Sequence, residues 1–211
     1  VTVFKTAIIS NEDDVAQRLE ELGVTAEQII SVGLVARARQ NDASPLMPIN
    51  APGSLAYIFG VEEMRQQISG SDWYSERKYG VEAIVNRKSN IRIAYQNVDE
   101  ACSITWKPKP RSAKGTGSEN LCSPTLFEHA GVDAGPLTNV CSDGLTTYYI
   151  MVGENGGIEL SCPVISNKTF AAFIERIFVY IPSNELDEVA NDNSDSPIED
   201  FEISVSLKES E

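Results

Sequence analysis

The sequence predicts an α+β fold: a single domain in which an antiparallel sheet, made of two hairpins plus N- and C-terminal strands, packs against about four helices. Three observations predict it. Helical spacing of apolar residues runs through residues 10–68, two adjacent pairs of strand-like runs follow, and the regular strand–helix–strand rhythm of a doubly wound sheet is absent. At 211 residues and 42% hydrophobic content the chain is long enough for one full core. The boundaries read as an α+β domain over 1–182, with a helical-hairpin region over 10–40. An acidic linker over 183–200 and a strand over 201–208 that returns to the sheet complete the chain.

Val1 to Ile9 reads as a strand inside the sheet, because apolar residues occupy both of its faces. Ser10 and Asn11 can cap a helix whose first turn carries Glu12, Asp13 and Asp14, where the helix dipole favours anions. Val15, Leu19 and Leu22 recur on one side, and Gly23 ends the run. Thr25 opens a second helix, with Gln28 completing a capping box. Asn41 to Gly53 holds three prolines and reads as a loop. Ser54 to Ile68 forms a third helix, with Leu55, Ile58, Phe59 and Met64 as the expected buried stripe.

Val81 to Val85 and Ile91 to Tyr95 predict a hairpin around the basic loop 86–90. Lys107 to Ser118 is rich in proline, glycine and basic residues and reads as a loop. Ser123 to Gly144 is irregular, with a helix around Phe127. Leu145 to Val152 and Ile158 to Val164 predict a second hairpin around Asn155-Gly156. After Thr169, the apolar positions Phe170, Phe173, Ile174, Ile177 and Phe178 fall at helical spacing and predict a fourth amphipathic helix.

No apolar run approaches the ~20 residues that span a bilayer, and the first ten residues lack the basic lead and apolar core of a secretory signal. A soluble, cytoplasmic protein without a membrane partner is expected. The cysteines at 102, 122, 141 and 162 are spaced too widely for a structural zinc site, and reduced, mostly buried thiols are expected. No metal site and no cofactor motif is expected.

The net charge of −14 is unevenly spread. Residues 1–64 carry −5, residues 65–118 carry +5 and residues 119–211 carry −14. The basic middle interleaves cations with aromatic side chains. Its candidate binding residues are Arg77, Lys78, Arg87, Lys88, Arg92, Trp106, Lys107, Lys109, Arg111 and Lys114. Cations offset phosphate charge and exposed aromatics stack bases, so this 77–114 segment is a candidate single-strand or RNA groove, provided the fold brings its two basic loops together. The segment 185–211 carries ten acidic side chains and one lysine, a composition suited to a basic partner.

Catalytic signatures are weak. The bihelical turn at Leu22 to Thr25 has the outline of a DNA-binding motif, but its first helix faces phosphates with five acidic residues. Gly115-Thr116-Gly117-Ser118 follows Lys114 in the wrong order for a phosphate-binding loop. Glu76-Arg77-Lys78 matches a nuclease E-x-K, but Asp72 is too close in sequence for the usual two-strand geometry. His129, the only histidine, stands without a nucleophile signature.

The expected function is therefore a non-enzymatic protein-interaction factor with a protein partner: an accessory, regulatory or assembly component of the kind phages and mobile elements carry. The alternative is a nucleic-acid-associated protein that binds through the basic segment, in a hydrolytic version through Glu76 or Asp99.

Overall fold

The computed structural model describes residues 5–122 and 143–182 of the chain. In chain order its elements are β1 (Ala7–Ile9), α1 (Glu12–Leu22), α2 (Ala26–Asn41), α3 (Ala51–Ile68), β2 (Trp73–Lys78), β3 (Val81–Asn86), β4 (Ile91–Val98), α4 (Thr116–Cys122), β5 (Thr146–Gly153), β6 (Ile158–Ser166) and β7 (Thr169–Tyr180). The strands form one sheet in the order β1-β7-β6-β5-β4-β3-β2. The fold class is α+β, but the sheet is mixed rather than antiparallel. β4 runs parallel to β5 and β1 parallel to β7, while the other pairs are antiparallel.

Local chemistry sets the helix ends. The Asn11 side chain accepts from the Asp13 and Asp14 amides at 3.1 and 3.4 Å, satisfying donors that the first turn leaves free. Gly23 closes α1 at φ +79°, a left-handed conformation that glycine adopts without strain. Thr25 and Gln28 form the expected capping box, with reciprocal bonds of 3.3 and 2.9 Å. In α3 the buried side differs from the expected stripe: Ala56, Gly60, Val61, Met64 and Ile68 face inward, and Ile58 is exposed.

Helices α1 to α3 cover one face of the sheet. Ile91, Ile93 and Tyr95 of β4 point into that layer, and Arg92, Ala94 and Gln96 alternate to the other side. There, Leu121 and Cys122 of α4 pack with Tyr149, Met151, Phe170 and Phe173. Strands buried on both faces read as nearly continuous apolar runs, as β5 does from Tyr148 to Val152, whereas β6 is buried as fully but carries the polar Glu159 and Ser161.

Both predicted hairpins are present, as β3–β4 and β5–β6. Four other readings need correction. The helix expected after Thr169 is the long strand β7. β2, unexpected from the sequence, occupies one edge. Residues Thr116 to Ser118, read as loop, begin α4. The N-terminal strand borders only β7 among the described strands, rather than lying inside the sheet. The linker 183–200, the strand 201–208, the helix around Phe127, and His129 and Cys141 lie outside the described residues. No disulfide joins Cys102, Cys122 and Cys162 to one another.

Candidate interaction surface

The chain leaves β4 at Val98 and immediately ties a knot on Asp99. One carboxylate oxygen accepts from the Glu100 and Lys109 amides at 2.8 and 2.7 Å, and the other accepts from the Trp106 indole at 3.1 Å. Partial burial would raise the pKa of Asp99, but these hydrogen bonds outweigh it and hold the carboxyl below its ordinary range. From Lys109 this connection between β4 and α4 (the strap, residues 99–115) runs back along β4, with the Arg111 amide donating to the Asn97 carbonyl at 3.0 Å. Two prolines at alternate positions, Pro108 and Pro110, keep this stretch extended.

A buried ion pair anchors the strap from below. Arg176 of β7 meets Glu159 of β6 through two bonds of 3.0 and 2.6 Å. Its remaining nitrogen donates to the Ser103 and Trp106 carbonyls at 2.8 and 3.1 Å. Glu159 in turn accepts from the Cys102 amide and the Ser161 hydroxyl. A buried charge persists only when paired and hydrogen-bonded, and here the pair spends its spare valences on fixing the loop that carries Trp106. Burial, reinforced by the Glu159 charge, pushes the Cys102 thiol up to about 12, so it stays protonated.

β4, β5 and β7 end on the same side of the molecule, and that end is where the connections cluster. A cleft of about 570 Å³ opens there, between the start of α3 (Asn50 to Ser54), Tyr57, the β4 end at Gln96 and Asn97, and the Arg111–Glu154 pair. The Asn97 amide donates to the Gly53 carbonyl at 3.0 Å and accepts from the Tyr95 hydroxyl at 2.6 Å, joining α3 to β4 across its floor. The rim is apolar. Leu46 and Ile49 of the α2–α3 connection are fully exposed, Met47 is half exposed, and Ile104 and Trp106 stand out from the strap. Isolated exposed apolar residues are ordinary, whereas a cluster rimmed by polar groups marks a contact surface.

The structure separates the two basic loops. Arg87 and Lys88 lie before the first residue of β4, and Lys107, Lys109 and Arg111 lie beyond its last. Eight residues of strand put these loops roughly 25 Å apart, at opposite ends of the sheet. They line no common groove.

Most of the predicted cations also have carboxylate partners. Arg77 pairs with Glu82, Lys78 with Asp143, Arg87 with Glu76, Lys88 with Asp72 and Arg111 with Glu154. Arg92 has no exposed surface and bridges Glu76 and Asp143 at 2.8 and 2.6 Å. Lys114 is buried against Gln96 and the faces of Tyr149 and Phe170. Neither Arg92 nor Lys114 is on the surface, a correction to both as binding residues. Among the described residues, Lys107 and Lys109 are the exposed cations of this set that form no ion pair with a carboxylate, and Lys109 lies 4.2 Å over the Trp106 ring.

Comparison with family models, with curated proteins and with solved structures returned no match. The surface is therefore read from its own chemistry. Glu76 of the E-x-K tripeptide is engaged by Arg92 and Arg87. Among the described residues no three histidine, cysteine or carboxylate side chains converge as a metal site, and no helix is long and apolar enough to cross a membrane. Sequence reasoning missed the apolar rim. Its signal was present as Leu46, Met47 and Ile49 inside a proline-rich connection, where three large apolar residues have no periodic reason to be.

Proposed function

We propose that this protein is a non-enzymatic interaction factor that docks a protein partner on the apolar rim at the carboxyl end of β4 and β5. The exposure of Leu46, at 97%, and of Ile49 beside a polar cleft carries this reading. Exposed aliphatic side chains next to a pocket supply the apolar centre and polar border typical of protein interfaces. The strap supports it, because Asp99 and the Arg176–Glu159 pair hold Trp106 in place before any partner arrives, which lowers the entropy lost on binding.

The nucleic-acid reading keeps one observation, the stacked Lys109–Trp106 pair with Lys107 beside it. Two free cations predict shallow, salt-sensitive binding. The discriminating experiment compares capture of partners from native extract, with and without nuclease, by the wild type and by Leu46→Asp/Ile49→Asp. Retention after nuclease by the wild type, with loss in the variant, supports protein docking. Loss on nuclease treatment in both overturns it.

A further inference from the structure

A second, smaller pocket of about 190 Å³ lies between the strap, the β2–β3 turn and α4, and shares Tyr57, Gln96 and Ser112 with the cleft. Lys114 is one of its walls. The lysine is only 7% exposed, its ammonium hydrogen-bonds the Gln96 side-chain oxygen, and it sits 4.4 Å from the Tyr149 ring centre and 5.3 Å from that of Phe170. A buried lysine usually has a carboxylate. This one has none among the described residues. Glu82, which lines the same pocket from β3, is taken up by Arg65 and Arg77. The other titratable groups around Lys114 are Tyr57 of α3, Tyr95 of β4, Tyr149 of β5 and Cys122 of α4, and burial pushes the three tyrosines above their ordinary range.

We propose that Lys114 is a reactive amine, and that this pocket takes a small uncharged aldehyde which Lys114 captures as a Schiff base. The pocket is smaller than the roughly 300 Å³ of ordinary drug-sized sites, which limits the ligand to a few heavy atoms. Among the described residues Lys114 is the only cation lining the pocket, and none of them offers a second positive group to hold a carboxylate or phosphate. The Tyr149 hydroxyl, fully buried on the same wall, makes no hydrogen bond of good geometry and leaves a donor for a carbonyl oxygen.

In the reaction the neutral amine of Lys114 adds to the aldehyde carbon, and a proton passes from nitrogen to the new hydroxyl. That hydroxyl leaves as water as the C=N bond forms. The amine must be neutral to attack. Burial pushes Lys114 down to about 8, against a smaller upward pull from Cys122. Near neutral pH it is therefore neutral far more often than an exposed lysine of ordinary acidity, around 10.4.

The test is to treat the full chain with glycolaldehyde and sodium cyanoborohydride at pH 7.5 and map the alkylated lysines by mass spectrometry. Lys114 is expected to label at least tenfold faster than Lys107 and Lys109, with a rate that rises through a midpoint near pH 8. Repeating the reaction in denaturing urea should abolish the preference. Labelling of folded Lys114 no faster than Lys107 and Lys109 overturns the proposal. So does a preference that survives unfolding, since it would belong to the local sequence and not to the pocket. The outcome is independent of whether the rim binds a protein.

Discussion

Arg176 and Glu159 sit where no water can solvate them, yet every one of their strong bonds is made inside the protein. Removing one partner leaves an uncompensated buried charge, so Arg176→Met should cost about 3–5 kcal/mol in urea unfolding. It should also release the Ser103 and Trp106 carbonyls and change Trp106 fluorescence in the still-folded protein. Asp143 gives a pH prediction. Burial raises its pKa, but the bonds from Lys78 and Arg92 outweigh that and hold it at about 2. An unfolded aspartate titrates near 3.9, so the stabilisation is complete above about pH 4 and is lost as pH falls towards 2. The stability difference between wild type and Asp143→Asn should shrink over that interval; a constant difference would contradict the assignment. Lys114 has the opposite slope. The unfolded chain takes up its proton near 10.4 and the folded one near 8. Wild-type stability relative to Lys114→Met should therefore rise between pH 8 and 10, by up to about 1.4 kcal/mol per pH unit. At this scale the sequence was least legible. Arg92 looks like a surface cation until strand alternation turns it inward, and Lys114 does so until the connection before α4 packs it against Gln96, Tyr149 and Phe170; only tertiary packing supplies their partners.

At the scale of elements, capping residues and hairpins were legible because their chemistry is local: Asn11, Thr25 with Gln28, and the turn around Asn155-Gly156 each satisfy bonds within a few residues. β7 was not. Its ladder with β6 skips a residue at three places, opposite Ile158/Glu159, Cys162/Pro163 and Val164/Ile165. Each bulge shifts the phase by one position, and Phe170 and Phe173 are buried on the α4 side while Ile177 is buried on the side of α1 to α3, so buried residues of both faces fall at spacings of three and four and imitate a helix. Burial on both faces removes the polar alternation that would have betrayed a strand, although the aromatic and β-branched content of Thr169 to Tyr180 favours one. β2 was missed for the converse reason: an edge strand of six residues, Trp-Tyr-Ser-Glu-Arg-Lys, is mostly polar. The contact between α3 and β4 is similarly invisible in sequence. A Cβ on Gly60 would stand 2.6 Å from the Tyr95 ring, which is pinned by its bond to Asn97. Gly60→Ala gains helix propensity but overpacks this site, and a net loss of about 1–3 kcal/mol in urea unfolding is expected.

Over the whole molecule, the expected charge segregation is real in sequence but does not become a basic groove. The fold places the 87–88 loop and the 107–111 strap at opposite ends of β4 and neutralises most cations locally. Its exposed apolar side chains include Leu46, Met47 and Ile49 on one connection, of which Ile49 lines the cleft, and Ile104 and Trp106 on another. Contacts of this kind are little screened by salt, whereas phosphate contacts weaken steeply with it. The most direct test of the docking surface is nuclease-treated partner capture at low and high salt, with wild type, Leu46→Asp/Ile49→Asp and Arg87→Ala/Lys88→Ala measured side by side. The docking account predicts partners that resist nuclease and salt, survive the basic-loop variant and fall at least tenfold with the rim variant at unchanged stability. Capture that disappears with nuclease, or that the rim variant leaves intact, would contradict it.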